Sequence, residues 1–310
     1  MGRPESVRPG DATEIKTSMA TTHTGTFPIG FRRGWSEWQK DLQAISRWAK
    51  AQEFDAIDLG ALRAEDLSTL NSHGLHLGSV DLLEFGKLMD TDAGKRKERI
   101  ARNVSYVAES SDMGAHIFFT CIIPADPIAP RAENYKLAVE SFAPIAEACE
   151  SVGASLAIEG WPGGAPHLAN LCCTPETVRA FLKDVGSGAG INYDPSHLIR
   201  LGVDHVRFLQ EFLPQIRHVH AKDTELFEDA RYEFGAQPAT FAKPHGFGEW
   251  AWRYTIPGQG AARWGEIFSI LSSGGYRGIV SVELEDENFN GTEAGEKAGL
   301  KQSLEYLRSA

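Results

Sequence analysis

The chain has 310 residues, 24% of them charged, and a net charge of −11. That length buries a full core without disulfides, four cysteines are too few for a disulfide framework, and no stretch approaches the ~20 apolar residues of a membrane span. The acidic balance repels polyphosphate and argues against a nucleic-acid partner, and a reducing cytoplasm is the expected setting.

In chain order, residues 1–26 lack an apolar core and any periodic face, so a disordered N-terminal tail is expected there. From Phe27 short apolar runs alternate with amphipathic stretches. The expected strands are 27–31, 56–60, 75–82, 116–123, 155–161, 190–194, 217–223 and 279–285. The clearest helices fall at 38–53, 93–112, 133–153, 175–186 and 263–275. Ser36 and Thr174-Pro175 supply expected N-terminal caps, and Gly74, Gly114, Gly153 and Gly274-Gly275 stand where helices should stop. Eight strands alternating with helices mean parallel pairing, and over residues 27–310 they fit a closed (β/α)8 barrel better than an open sheet. No G-x-G-x-x-G follows the first strand and no P-loop motif is present.

One connection, 225–262, is too long for a barrel loop. It holds eight aromatic residues: Phe227, Tyr232, Phe234, Phe241, Phe247, Trp250, Trp252 and Tyr254. Leaving these exposed is unfavourable, so the segment is expected to close over a substrate or to pack on a second subunit.

Ionisable residues gather at the C-terminal ends of the last four strands, the catalytic end of such a barrel. Glu159 ends the fifth, Asp194 the sixth, His218, His220 and Lys222 follow one another by twos on the seventh, and Glu283 and Glu285 share a face of the eighth. Taken singly, a strand-end glutamate makes a surface salt bridge, an aspartate before proline caps a turn, and a histidine packs in the core. Together, Glu159, Asp194, His220 and Glu283 facing inward place three carboxylates and an imidazole around one point. Their mutual repulsion is resolved by one divalent cation, and oxygen-rich ligation with one nitrogen suits Mn2+, Mg2+ or Co2+. Glu285 shares the face of Glu283 and is its alternative. Tyr193 and Val219 should face the helices; His116, His205 and His23 are not site candidates.

The motifs IEGWPGG (158–164), NYDPSHLIRLGVD (192–204), HVHAKD (218–223) and GYRGIVSVELED (275–286) resemble the sugar phosphate isomerase/epimerase superfamily, the xylose-isomerase-like TIM barrels. The resemblance implies Glu159, Asp194, His220 and Glu283 as metal ligands, Glu159 and Glu283 as the acid/base pair, and His197 beside the substrate. Lys222 is a further expected catalytic group, able to polarise a substrate oxygen or protonate a leaving group. Trp161, His218, Glu285 and Trp252 are expected to contact substrate. Many relatives have Glu-Asn on the fifth strand, where this chain has Glu159-Gly160-Trp161.

The implied function is a metal-dependent isomerase or epimerase acting on a sugar or keto-sugar through an enediolate. The alternative is a lyase or dehydratase on an oxidised sugar or cyclitol, as in inosose dehydratases and the large subunits that cleave 3-keto C-glycosides. A nuclease resembling AP endonucleases needs more histidines; the early strand ends offer Asp58, Asp81 and Glu84 instead. A homo-oligomer or a small partner subunit fits the same family.

Overall fold

The computed structural model describes residues 27–164 and 168–310. The tail expected over 1–26, with His23, lies outside the described residues. Ten strands are present among the described residues: β1 (Ile29–Arg32), β2 (Ala56–Leu59), β3 (His76–Asp81), β4 (Ile117–Cys121), β5 (Ser155–Glu159), β6 (Ala189–Tyr193), β7 (Ile216–Ala221), β8 (Asp223–Leu226), β9 (Trp252–Thr255) and β10 (Val280–Val282). Eight of them close a parallel barrel in the order β1-β10-β7-β6-β5-β4-β3-β2, and β8 and β9 form a separate antiparallel pair. The barrel is parallel because helices carry the chain back between its strands. The principal helices are Leu42–Ala51, Ala93–Met113, Arg131–Ser151, Pro175–Val185, His205–Phe212, Trp264–Ser273 and Glu293–Ser309. Tyr193 and Val219 are buried in the apolar layer between barrel and helices, and the Tyr193 hydroxyl donates to the His205 carbonyl at 3.1 Å.

Both expected caps take other partners. Ser36 stands before a four-residue turn, Glu37–Lys40, and its hydroxyl bonds Glu296 at 2.5 Å. Asp41 caps the long helix that follows, accepting the Gln43 and Ala44 amides at 2.9 and 3.1 Å. The Thr174 hydroxyl meets that of Thr177 at 3.2 Å, leaving Pro175 at the first turn as the start signal.

Two irregularities shape the barrel interior. The β2–β3 register shifts between Ile57 and Leu59, so β3 carries an extra residue opposite Asp58. The Asp58 carboxylate takes up the Ser79 amide freed there, at 3.0 Å. Gly78 makes this possible, since a Cβ there would lie 1.8 Å from Asp58 Oδ1. A second shift, between β6 and β7, falls between Ile191 and Asn192 and sets Asn192 opposite His218.

The stretch 225–262 carries the rest of the β8–β9 hairpin and a short helix, Glu228–Phe234. Its strands fold back over the C-terminal end of the barrel and bring Tyr254 into the site. Tyr232 and Phe241 stand in solvent, 91% and 99% exposed. Among the described residues no helix is long and apolar enough to cross a membrane.

Candidate metal and catalytic site

Strands β5, β6, β7 and β10 are neighbours in the barrel, so their C-terminal ends converge. Glu159, Asp194, His220 and Glu283 each offer one ligand atom there, and these atoms lie within 4.8 Å of one another. Glu159, Asp194 and His220 are buried, and the Glu283 side chain is 15% exposed, at the mouth.

The arrangement leaves polar atoms in need of a partner. Asp194 caps the short helix Pro195–Arg200, and its Oδ1 accepts the Ser196 amide at 2.8 Å. Its Oδ2 makes no hydrogen bond, with only ionic contacts to Lys222 Nζ at 3.3 Å and His197 Nε2 at 3.4 Å. His220 turns Nδ1 toward Glu159 Oε2 at 2.7 Å and Glu283 Oε2 at 3.6 Å. Asn192 donates to Glu159 Oε2 at 2.6 Å while its own Oδ1 is unpartnered. Leaving buried groups unpaired costs about 1–3 kcal/mol each, so a recurring deficit at one spot points to a ligand.

The electrostatics agree. Burial and Glu283 push the Glu159 carboxyl up, but His220 and His197 outweigh them and hold it below the usual carboxylate range. Burial likewise opposes ionisation of Glu283, and Lys222, His220 and Arg32 overcome it. Burial disfavours a charged His220, yet Glu283 and Glu159 raise its pKa well above the ordinary value. The protein thus recruits its own cations against a surplus of carboxylate. Three carboxylates, one of them with an unpartnered oxygen, and one imidazole form a donor set that a divalent cation fits, and these four residues could hold one.

Lys222 is 1% exposed and donates to Glu283 Oε2 at 2.5 Å and Glu285 Oε2 at 2.9 Å. Burial works against its charge, but Glu283, Glu285 and Asp194 raise its pKa well above that of a free lysine. It is not paired with Asp223. That carboxylate points away, accepts the Thr224, Gly258 and Ala262 amides, and is pushed up to about 6 by burial against those bonds.

His197 bridges two layers. Its Nε2 lies 3.2 Å from Glu159 Oε1 and its Nδ1 2.7 Å from the Tyr254 hydroxyl. Arg200 donates to the same hydroxyl at 2.7 Å and lies over the Trp252 ring at 4.3 Å. Glu285 is at the mouth, 37% exposed, bonded to Lys222 and outside the four-residue cluster. Trp161 is half-buried, and its carbonyl accepts from Asn170 at 3.0 Å.

His218, expected to touch substrate, is buried with Nε2 2.7 Å from Asp58 Oδ2 and lies outside the four-residue cluster. The same oxygen lies 3.4 Å from His220 Nε2. Two residues of spacing on β7 put both histidines on the inner face, and only His220 joins Glu159, Asp194 and Glu283. From the sequence Asp58 stands out only as a strand-end carboxylate. The signal that finds it is the pair of inward histidines, which need an acceptor from a facing strand.

A family model described as xylose isomerase-like TIM barrel matches residues 39–310. The uncharacterized protein YfiH of Bacillus subtilis (strain 168) is 33% identical over 166 residues, 53% of this chain and 48% of that protein. An inosose dehydratase of Geobacillus thermodenitrificans is 30% identical over 122 residues, 39% of each chain. The chain therefore spans about half or less of the length of these relatives. A D-psicose 3-epimerase solved in the presence of D-fructose superposes with a TM-score of 0.65 at 18% identity, covering 91% of this chain and 100% of that one. A 3-keto-D-glucoside 4-epimerase from E. coli superposes at 0.63 and 16% identity, covering 91% and 99%. At these identities the likeness shows the fold alone. With the family model spanning nearly the whole barrel, the chain belongs to the xylose isomerase-like TIM barrel family.

Proposed function

We propose that the protein is a divalent-metal-dependent isomerase or epimerase of a sugar or keto-sugar, working by proton transfer through an enediolate. The observation that carries this reading is the convergence of Glu159 and Glu283 on one point, with Asp194 and His220 completing the set within 4.8 Å. A bound divalent cation, with Mn2+ the first choice for this donor set and Mg2+ or Co2+ next, would hold a ketone oxygen and a neighbouring hydroxyl and acidify the C–H between them.

Glu159 is the base that removes that proton. Asn192 and His197 orient its two oxygens, and the Tyr254 hydroxyl fixes the far side of the His197 ring. Glu283 faces the substrate from the end of β10, separated from β5 by β6 and β7, and Lys222, 2.5 Å from its Oε2, supplies the proton it returns. Return to the opposite face gives epimerisation, and return to the adjacent carbon gives aldose–ketose isomerisation. Trp252 and Glu285 border the substrate.

Lys222 supports a second reading, a dehydratase or lyase. A charged ammonium at the mouth can protonate a departing hydroxyl or aglycone from the same enediolate, and the inosose dehydratase relatives point the same way. Incubation of the metal-loaded protein with ketohexoses, inososes and 3-keto-glucosides in D2O, read by NMR, decides. Solvent deuterium beside the carbonyl with the carbon count and hydroxyls intact supports the isomerase, and loss of a hydroxyl or aglycone supports the lyase. Isomerised product with no deuterium taken up contradicts the enediolate route, whereas an eliminated product counts for the lyase with or without deuterium, because elimination removes the α-proton and returns none.

A further inference from the structure

Phe247 adopts a backbone conformation that an aromatic residue rarely takes, with φ +55°. The surrounding hairpin enforces it. The Phe247 carbonyl accepts the Tyr254 amide at 2.9 Å, and the Glu249 amide donates to the Trp252 carbonyl at 2.9 Å. Between them Gly248 lies so close to the opposite strand that a Cβ would be 2.4 Å from the Trp252 carbonyl oxygen. On the other side the Gly246 amide is tied to Glu287 at 2.8 Å, and the His245 ring stacks on Phe227 at 4.3 Å. Backbone strain of this kind is retained where the placement of the side chain matters.

The Phe247 ring, 42% exposed, lines a cavity of about 310 Å3 together with Arg32, Trp35, Glu283, Glu285 and Asn290. That volume is within the range of small-molecule sites, about 300–1,000 Å3. Trp35, on the loop after β1, is 83% exposed. Two exposed aromatic rings thus border one cavity that opens onto Glu283.

The charges around the cavity are already committed. Both terminal nitrogens of Arg32 are held by Asp81 at 2.8 and 2.9 Å, with its Nε 3.4 Å from Glu283. Arg33 is bonded to the Gln39 and Lys40 carbonyls, and Lys222 to Glu283 and Glu285. A phosphate entering here meets two carboxylates and engaged cations, whereas an uncharged ring meets aromatic faces whose negative quadrupole suits its axial C–H groups.

We propose that Phe247 and Trp35 are specificity-determining walls of a slot for a cyclic, uncharged polyhydroxy ketone, a pyranose or cyclitol without phosphate. This deepens the function proposed above and rests on its placing the chemistry at Glu283. The test is calorimetric titration of the Mn2+-loaded full chain with 2-keto-myo-inositol, 3-keto-D-glucose and D-fructose 6-phosphate. At least one cyclic ketone should bind, and more tightly than the phosphate. Phe247→Asn, which tolerates the left-handed backbone, and Trp35→Ala should each weaken that binding by about 5- to 10-fold, the scale of one lost ring contact. Phe247→Trp should restore it, and the Tm of Phe247→Asn should not fall. Tighter binding of the phosphate, an unchanged Kd in Phe247→Asn, or no binding of either cyclic ketone below about 10 mM would overturn the proposal. Ring binding with this pattern but without deuterium exchange would leave the slot standing and remove the proton-transfer reading; exchange with a Kd indifferent to Phe247 would do the reverse.

Discussion

His220 belongs to two buried clusters that are satisfied very differently. Below it, Asp58 bonds His218 at 2.7 Å and the Ser79 amide at 3.0 Å, in a niche that Gly78 leaves open. Burial pushes the Asp58 carboxyl up, but His218 and His220 outweigh it and hold it below the ordinary range. Above His220, three carboxylates share two imidazoles, His220 and His197, one lysine and the Nε of Arg32, and the Asp194 and Asn192 oxygens are left without hydrogen bonds. The two clusters use the same residue types at comparable burial. The proposed chemistry lies in the upper layer, where unpartnered oxygens coincide with a surplus of carboxylate; in the lower layer His220 Nε2 makes no hydrogen bond, but the Asp58 carboxylate is engaged by His218 and the Ser79 amide. A histidine that binds a cation through one nitrogen is ordinarily oriented by a carboxylate at the other, and Asp58 is placed to do this for His220.

The comparison breaks if the upper layer can be altered without loss of activity. Asp194→Asn removes charge from the oxygen with no hydrogen bond, and we expect it to lower turnover by at least ~10³-fold, since the cation and the activated substrate depend on it. Steady-state assays at saturating Mn2+ check this. Glu159→Gln is expected to slow deuterium exchange by about 10²- to 10⁴-fold, the scale of one general base, while some metal remains bound. NMR in D2O and metal analysis of the same sample read both quantities.

The lower layer should respond more mildly. Asp58→Asn keeps the volume but loses the negative charge behind His220, and metal affinity should fall about 10- to 100-fold. Competition against a chelator of known affinity measures it. An affinity unchanged in Asp58→Asn would make the lower cluster a plain packing element.

Much of this was legible in the sequence, for identifiable reasons. Parallel strands buried on both faces read as short apolar runs, so HIFFTCII at 116–123 located β4, Ile117–Cys121. Spacing by two, combined with the barrel's neighbour order, was enough to bring Glu159, Asp194, His220 and Glu283 to one point. What alternation does not encode is depth along the barrel axis, so it does not distinguish His218, which bonds Asp58, from His220, which joins the four-residue cluster. The antiparallel hairpin was illegible for another reason. Its partners, Asp223 with Thr255 and Leu226 with Trp252, are about 30 residues apart, joined by an aromatic stretch without alternation. Tyr254 and Arg200 thus escaped as supports of His197. The cap at Ser36 failed because Asp41 is an equally good capping residue five positions on, and packing against Glu296 decided between them.

Away from both clusters, His205 gives the smallest effect and a control. Burial and the nearby Arg263 lower its pKa to about 4, and its neutral Nε2 accepts the Arg263 amide at 3.2 Å. Its contribution is therefore fully present above its ordinary pKa near 6.5 and is lost as pH falls toward 4, where the unfolded chain takes up the proton first. The loss should be about 1–2 kcal/mol after allowing for solvent screening. His205→Gln keeps an acceptor, so urea unfolding at pH 7 and pH 4.5 should show a shallower pH dependence in the variant than in the parent. An identical pH dependence would mean that the buried imidazole titrates normally.

Thermal melting of the full chain with EDTA and with excess Mn2+, in the parent and in Asp194→Asn, asks whether the unsatisfied layer is a metal site. A cation that binds only the folded state at about 100 times its Kd stabilises by about 2.7 kcal/mol. For a chain of this size that is a rise in Tm of roughly 4 °C. We expect that rise in the parent and its absence in Asp194→Asn. Superimposable parent curves with EDTA and with Mn2+ would contradict the account.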